Sequence, residues 1–253
     1  MAFRHIILVV ALLGVHLICW ADVRLRVATE GAFPPFNYID EQGQPAGFDV
    51  DIAKALCDVL KAECEIIVVP WSQLLPKLTA GELDMIVASM VETAERLQLA
   101  EFTDPYYRSP QAFIGLPDSG IQQVTPATVR GKVLAAQNHT IYADYLNKNY
   151  RDSAVIKLTD TLPAAFALLT QGEADLVLID VLMSLPYIDT NINQSLEIVG
   201  EPISETELPS LCHIQVRKGN LKLRDAINRA LRQIKDDGTY KQINDKYFSF
   251  DIR

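Results

Sequence analysis

The sequence predicts an α/β protein made of two similarly built lobes. Strand-like and helix-like patterns alternate through most of the chain, which argues for sheets with helices on both faces. One segment also occurs twice: Leu78–Ala88 recurs as Leu169–Ile179, identical at five of eleven positions at an offset of 91. Each copy reads as a helix end, a Gly stop (Gly81, Gly172) and a buried strand. Chance likeness between two common helix–Gly–strand turns is the alternative reading. Ser89 follows the first strand copy and Asp180 the second. Ligands of open α/β sheets sit outside the carboxyl ends of strands. Two facing lobes would therefore present Ser89 and Asp180 to one shared cleft.

The elements follow in order. Val23–Ala28 alternates like a strand, and Asp51–Leu60 places Ile52, Leu56, Val59 and Leu60 at helical spacing. Ile66–Val69 is a β-branched strand. Ser72 suits an N-cap, with Pro76 tolerated in the first turn of a short helix. Met85–Ala88 reads as a strand, Ala94–Leu97 as a helical turn and Gln111–Leu116 as another strand. Lys132–Ala135 opens a second set, followed by a helix from Thr140 to Asn147. Leu162–Thr170, Leu176–Ile179 and the helices Leu223–Lys235 and Thr239–Tyr247 complete it.

Ahead of these elements, Arg4 precedes an apolar run from Ile6 to Ile18, and Cys19-Trp20-Ala21 offers a small residue before Asp22. That is the layout of a secretory signal peptide over residues 1–21, cleaved near Ala21. A buried first helix is the competing reading. The bulky Ile18 argues against a lipid-modified Cys19. The remainder holds 22 bases and 32 acids, a formal net charge of −10. Such a surface disfavours nucleic acid and mildly favours cationic ligands. Cys57 and Cys64, seven apart at a helix end, could bridge in an oxidising compartment. Cys212 is left over in an apolar stretch, where burial is expected.

Few polar groups surround the predicted cleft. Arg96 follows Thr93, an N-cap, just past Ser89, and a guanidinium there can grip a carboxylate in a two-pronged fork. A solvated surface Arg is the plainer alternative. Thr140 would cap the helix after Asn138-His139, turning backbone N–H groups toward an anion. Asp180 offers a full negative charge to an ammonium, or simply caps the helix beginning at Val181. Glu30, Phe33 and Trp71 follow the ends of two other strands, and aromatics beside a carboxylate suit a long cationic side chain. Core packing would explain Phe33 and Trp71 equally well, each taken singly. Catalytic readings find no His-containing triad, phosphate loop, dinucleotide fingerprint or metal-ligand spacing. The sequons at Asn138 and Asn193 are weak patterns. No cofactor is implied.

These residues resemble the polar amino-acid-binding proteins of bacterial ABC importers, especially the lysine/arginine/ornithine and histidine group. The marks are Thr29–Phe36, Gly47–Ala53, Thr93–Arg96, Phe102–Tyr107, Asp237–Tyr240 and Lys246–Phe248. The resemblance implies a two-lobed periplasmic binding protein fold. Residues 22–107 and 212–253 would form the first lobe and 112–203 the second, with hinges at 108–111 and 204–211 closing around the ligand. It implies that Arg96, helped by Thr140, binds the ligand α-carboxylate and that Asp180 binds the α-ammonium. Ser89 would assist at the ammonium. Phe33 and Trp71 would sandwich the side chain and Glu30 would meet its distal charge. The Cys57–Cys64 pair matches a bridge in the basic-amino-acid members.

Val91 stands where the family usually has a hydroxyl that contacts the ligand, and His139 stands where a small residue is common. Both enter the expected site as departures that bear on ligand identity. The resemblance points to a monomeric, non-enzymatic binder in the periplasm, working with an ABC permease. Its ligand would be arginine, lysine, ornithine, histidine or an opine-like derivative. The alternatives are an enzyme resembling the cyclohexadienyl dehydratases, which place a glutamate where Asp180 stands, and a stand-alone ligand sensor.

Overall fold

The computed structural model describes residues 23–188 and 196–253. The predicted signal peptide and the sequon at Asn193 lie outside them. The first lobe opens with β1 (Val23–Thr29), a small sheet of β2 (Ala32–Phe33), β3 (Asn37–Ile39) and β4 (Pro45–Ala46), and α1 (Phe48–Leu60). There follow β5 (Ala62–Val68), α2 (Trp71–Thr79), β6 (Met85–Val91), α3 (Arg96–Leu99), β7 (Ala100–Phe102) and β8 (Tyr107–Arg108). The second lobe contains β9 (Gln111–Gly115), β10 (Val133–Gln137), α4 (Ile141–Asn149), β11 (Val155–Thr159), α5 (Leu162–Thr170), β12 (Leu176–Asp180), α6 (Val181–Ile188) and β13 (Glu197–Ile203). The chain then returns through β14 (Leu211–Arg217), α7 (Leu221–Asp236) and α8 (Thr239–Tyr247).

Two sheets result, with strand orders β5-β1-β6-β14-β7 and β11-β10-β12-β9-β13; β8 also pairs with β14. In each, three parallel strands continue into an antiparallel one. The repeated segment leads into β6 and β12, which hold the same third place in the two sheets.

Its chemistry is repeated too. Gly81 and Gly172 adopt φ of +78° and +73°, a left-handed conformation that glycine enters freely. Asp84 accepts from the Arg26 backbone N–H at 3.0 Å and from its Nε at 2.9 Å. Asp175 accepts from Val133 N–H at 2.8 Å and Lys132 Nζ at 2.9 Å. Asp175 thereby pins the start of β10, and Asp84 pins the middle of β1. The Arg26 guanidinium holds the Asp84 carboxyl below its ordinary range.

Several element boundaries differ from expectation. Helix α1 starts at Phe48 rather than Asp51, because Gly47 at φ +117° turns the chain beside Phe36. A Cβ at Gly47 would lie 2.3 Å from the Phe36 carbonyl oxygen. Helix α2 starts at Trp71, so Pro70 rather than Ser72 precedes it, and Pro76 falls in its interior. Strand β6 runs past Ser89 to Val91, and Asp180 ends β12 rather than following it.

The aromatic residues of the family-like motifs form the first-lobe core. Phe36 stacks on Tyr107 at 4.6 Å, and Phe48 meets Tyr240 edge-on at 5.8 Å. Cys57 and Cys64 are joined with Cα atoms 6.2 Å apart, tying the end of α1 to β5. Cys212 is buried and free. Among the described residues, no helix is long and apolar enough to cross a membrane. The chain passes between the sheets after Arg108 and again after Ile203. The two passages touch where Ser109 N–H donates to Ser210 O at 3.0 Å.

Candidate ligand site between the lobes

Strand ends from both sheets meet around one narrow cavity with a free volume of about 20 Å³. That holds about one water molecule, so the lobes must part for a larger ligand to fit. From the first lobe come Glu30 at the end of β1, Phe33 on β2, Trp71 at the head of α2, Ser89 and Val91 on β6, and Arg96 on α3. From the second comes Thr140, at the head of α4. Seven of the nine residues picked from sequence thus line a single space. His139 and Asp180 do not.

Among the described residues, two side-chain hydrogen bonds cross the cleft and hold the lobes together. Gln137 Nε2 donates to Glu30 Oε1 at 2.5 Å, and Trp71 Nε1 donates to the His139 carbonyl at 2.8 Å. His139 takes part through its backbone. Its φ of +60° aims the carbonyl at Trp71, while its ring lies beside the Asn138 amide at 3.3 Å.

Burial pushes the Glu30 carboxyl up to about 7, with the Gln137 bond opposing the shift. Arg96 Nη1 donates to the Val91 carbonyl at 2.9 Å, and its guanidinium carbon lies 5.5 Å from the centre of the Trp71 ring. Among the described residues Arg96 makes no ion pair, and burial lowers its pKa. Thr93 caps its helical turn, accepting from Arg96 N–H at 3.2 Å. A half-buried guanidinium without an ion pair is costly, and an anionic ligand group would relieve that cost.

Thr140 caps α4 as expected, accepting from Ala143 N–H at 3.3 Å while donating to Gln137 O at 2.6 Å. Its hydroxyl is therefore engaged, leaving the backbone N–H groups of the first helical turn for an anion.

Ser89 sits at φ +56°, and its hydroxyl donates to Asp49 Oδ2 at 2.8 Å. Asp49 is fully buried and also accepts from Tyr106 OH at 2.6 Å and Asn37 Nδ2 at 2.7 Å. Asn37 in turn accepts from Gly31 N–H at 2.8 Å. Asp49 thus fixes both Ser89 and the loop that carries Glu30. Burial raises its carboxyl to about 6 against these three donors.

Asp180 lies behind the cavity wall. Its Oδ1 accepts from Ser109 Oγ at 2.8 Å and from Met183 N–H at 3.0 Å, so it caps α6 and fastens one inter-lobe passage. Its Oδ2 faces Tyr142 OH at 3.5 Å. Burial raises this carboxyl to about 6 as well. Tyr142 stands between Asp180 and the cavity, which it lines, so Arg96 and Asp180 share a neighbour rather than a wall.

Sequence reasoning missed Gln137 and Tyr142. Gln137 ends β10 and could have been found by the same strand-end rule that found Glu30. Tyr142 carried no signal, being one aromatic on an ordinary helix.

The model of bacterial extracellular solute-binding proteins, family 3, matches residues 25–250. The chain belongs to that family. It is 31% identical to an L-arginine-binding protein of Pseudomonas aeruginosa over 92% of this chain and 90% of that protein. It is 28% identical to a histidine-binding periplasmic protein of Salmonella typhimurium over 90% of this chain and 89% of that protein. An ancestral arginine-binding protein bound to arginine superposes with a TM-score of 0.82 at 34% identity, covering 89% of this chain and 98% of that one. The two-lobed fold of this solute-binding family is therefore the fold of this chain.

Proposed function

We propose that this solute-binding protein captures a basic amino acid, arginine foremost, in the periplasm and presents it to an ABC permease. The observation that carries the reading is a single inter-lobe cavity holding an unpaired guanidinium, Arg96, and a buried carboxylate, Glu30, whose partner is neutral. Arg96 and the N–H groups following Thr140 take the α-carboxylate. Glu30 takes the distal cation between Phe33 and Trp71. Asp180 supplies the counter-charge for the α-ammonium from behind Tyr142, and Ser89 assists there. The bonds from Gln137 and Trp71 across the cleft join the lobes in a closed form whose cavity widens to admit such a ligand.

The protein acts as a monomer, without cofactor and without catalysis, after removal of the signal peptide near Ala21. Arginine- and histidine-binding relatives support the ligand class. Calorimetry and thermal-shift screening of the mature chain against the free amino acids test the reading. Arginine, lysine, ornithine or histidine should raise the unfolding midpoint, since a ligand at a hundredfold its Kd adds about 2.7 kcal/mol. Stabilisation by leucine or aspartate with none by the basic set would refute it.

A further inference from the structure

Resting on that reading, we infer that Asp49 is a positioning residue for the ligand α-ammonium. It draws the hydrogen of the Ser89 hydroxyl toward itself, so the serine oxygen faces the cavity as an acceptor backed by a full negative charge. The donors around Asp49 are fixed by their other bonds. Tyr106 OH accepts from Ser89 N–H at 3.0 Å, so its single proton goes to Asp49 Oδ1 at 2.6 Å. Asn37 Oδ1 is taken by Gly31 N–H at 2.8 Å, which leaves the amide nitrogen to face Asp49 Oδ2 at 2.7 Å. An ionised carboxylate only accepts, so the Ser89 hydroxyl donates to Oδ2 as well, at 2.8 Å.

Of these residues, Ser89 lines the cavity. With its hydrogen turned to Asp49, the hydroxyl presents lone pairs, which suit an ammonium and repel a carboxylate. Asp49 is fully buried and its three donors are neutral, so a cation one hydroxyl away gains from its charge. The same bonds hold Ser89 at φ +56°, a backbone conformation uncommon outside glycine. Such strain persists where surrounding contacts over-determine it, and here both the N–H and the hydroxyl are tied. Two residues along the same strand, the Val91 carbonyl accepts from Arg96 Nη1 at 2.9 Å. A guanidinium beside an acceptor of cations matches an α-amino acid, whose two charges sit on one carbon.

Calorimetric titration of arginine and of δ-guanidinovaleric acid, which is arginine without its α-amino group, tests this in wild type, Asp49→Asn and Ser89→Gly. Glycine enters the left-handed backbone freely and lacks the hydroxyl. Wild type should prefer arginine. Each variant should cut that preference roughly tenfold or more, the effect of losing a hydrogen bond to a charged group, while the analogue's affinity changes little. Both ligands weakened alike, with the preference kept, marks a structural role and overturns the inference. So does wild type that binds the analogue as tightly as arginine. Where Asp49→Asn does not fold, Ser89→Gly decides, and an unchanged preference there overturns the inference too. In each of these cases wild type still binds arginine and the arginine reading stands. Absence of arginine binding by wild type overturns both.

Discussion

At Glu30, burial and charge are in direct conflict. Its carboxyl titrates near 7 in the fold against an ordinary 4.5, because the cavity desolvates it and its one close donor is a neutral amide. Across that window the folded chain keeps a proton that the unfolded chain releases. Ligand-free stability therefore declines from Glu30's titration as pH rises from about 4.5 to 7, and is level above. Glu30→Gln removes this contribution, so the gap in unfolding midpoint between variant and wild type should widen over that range. A cationic ligand reverses the preference by favouring the ionised form. Arginine affinity should rise as pH climbs toward 7 and then flatten, with protons released on binding, whereas Glu30→Gln should bind weakly and without that slope. Titrations in buffers of different ionisation enthalpy measure the release.

Asp180 differs because it has a structural duty. It caps α6 and holds Ser109 and Tyr142, so Asp180→Ala strands three donors and costs roughly 1–3 kcal/mol before any ligand is considered. Asp180→Asn keeps an acceptor oxygen and removes only the charge. It should fold with stability within about 1 kcal/mol of wild type yet bind arginine at least tenfold more weakly. Urea unfolding and calorimetry on the same sample separate the two effects.

Among elements, those read best from sequence have a clean period and clear stops. Helices α5 and α8 fall on their predicted residues, each in a segment whose buried positions sit on one face. The strands that escaped notice did so for identifiable reasons. Strands β11 and β13 are the two edges of the second sheet, paired on one side only, and they mix polar with apolar positions. Strand β14 is interior but carries His213 and Gln215. Gln215 is buried, donating to the carbonyls of His213 and Met90 where the pairing register shifts. No periodicity rule anticipates a polar residue whose amide nitrogen is taken up at its own bulge while its Oε1 is left without a hydrogen-bond partner among the described residues. The disulfide belongs to this scale too. It closes a short loop between α1 and β5, so Cys57→Ser with Cys64→Ser should lower unfolding stability by about 2 kcal/mol. Neither cysteine lines the ligand cavity, and arginine affinity should be unchanged by calorimetry.

For the whole molecule, the duplicated Leu78–Ala88 and Leu169–Ile179 segments were the most informative feature of the sequence. They mark the third strand of each sheet, with the same glycine turn and the same aspartate pinning a neighbour. That much of the architecture was legible because it rests on local chemistry. The cavity was legible in part. Strand ends pointed to Glu30, Ser89 and Asp180, but burial of Asp180 behind Tyr142 depends on how α4 packs across the cleft, which no local pattern encodes. Most of the family-like aromatics, including Phe36, Phe48, Tyr106, Tyr107 and Phe248, turn out to build the first-lobe core. They identify the scaffold, while Glu30, Arg96 and Gln137 decide what it holds.

The central claim is one of orientation: acid end on Arg96, distal cation on Glu30. A crystal structure of the mature chain with arginine tests it most directly. The account predicts both oxygens of the ligand carboxylate within hydrogen-bonding distance of the Arg96 guanidinium, and the ligand guanidinium against Glu30 between Phe33 and Trp71. Arginine bound the other way round, or outside this cavity, would contradict it.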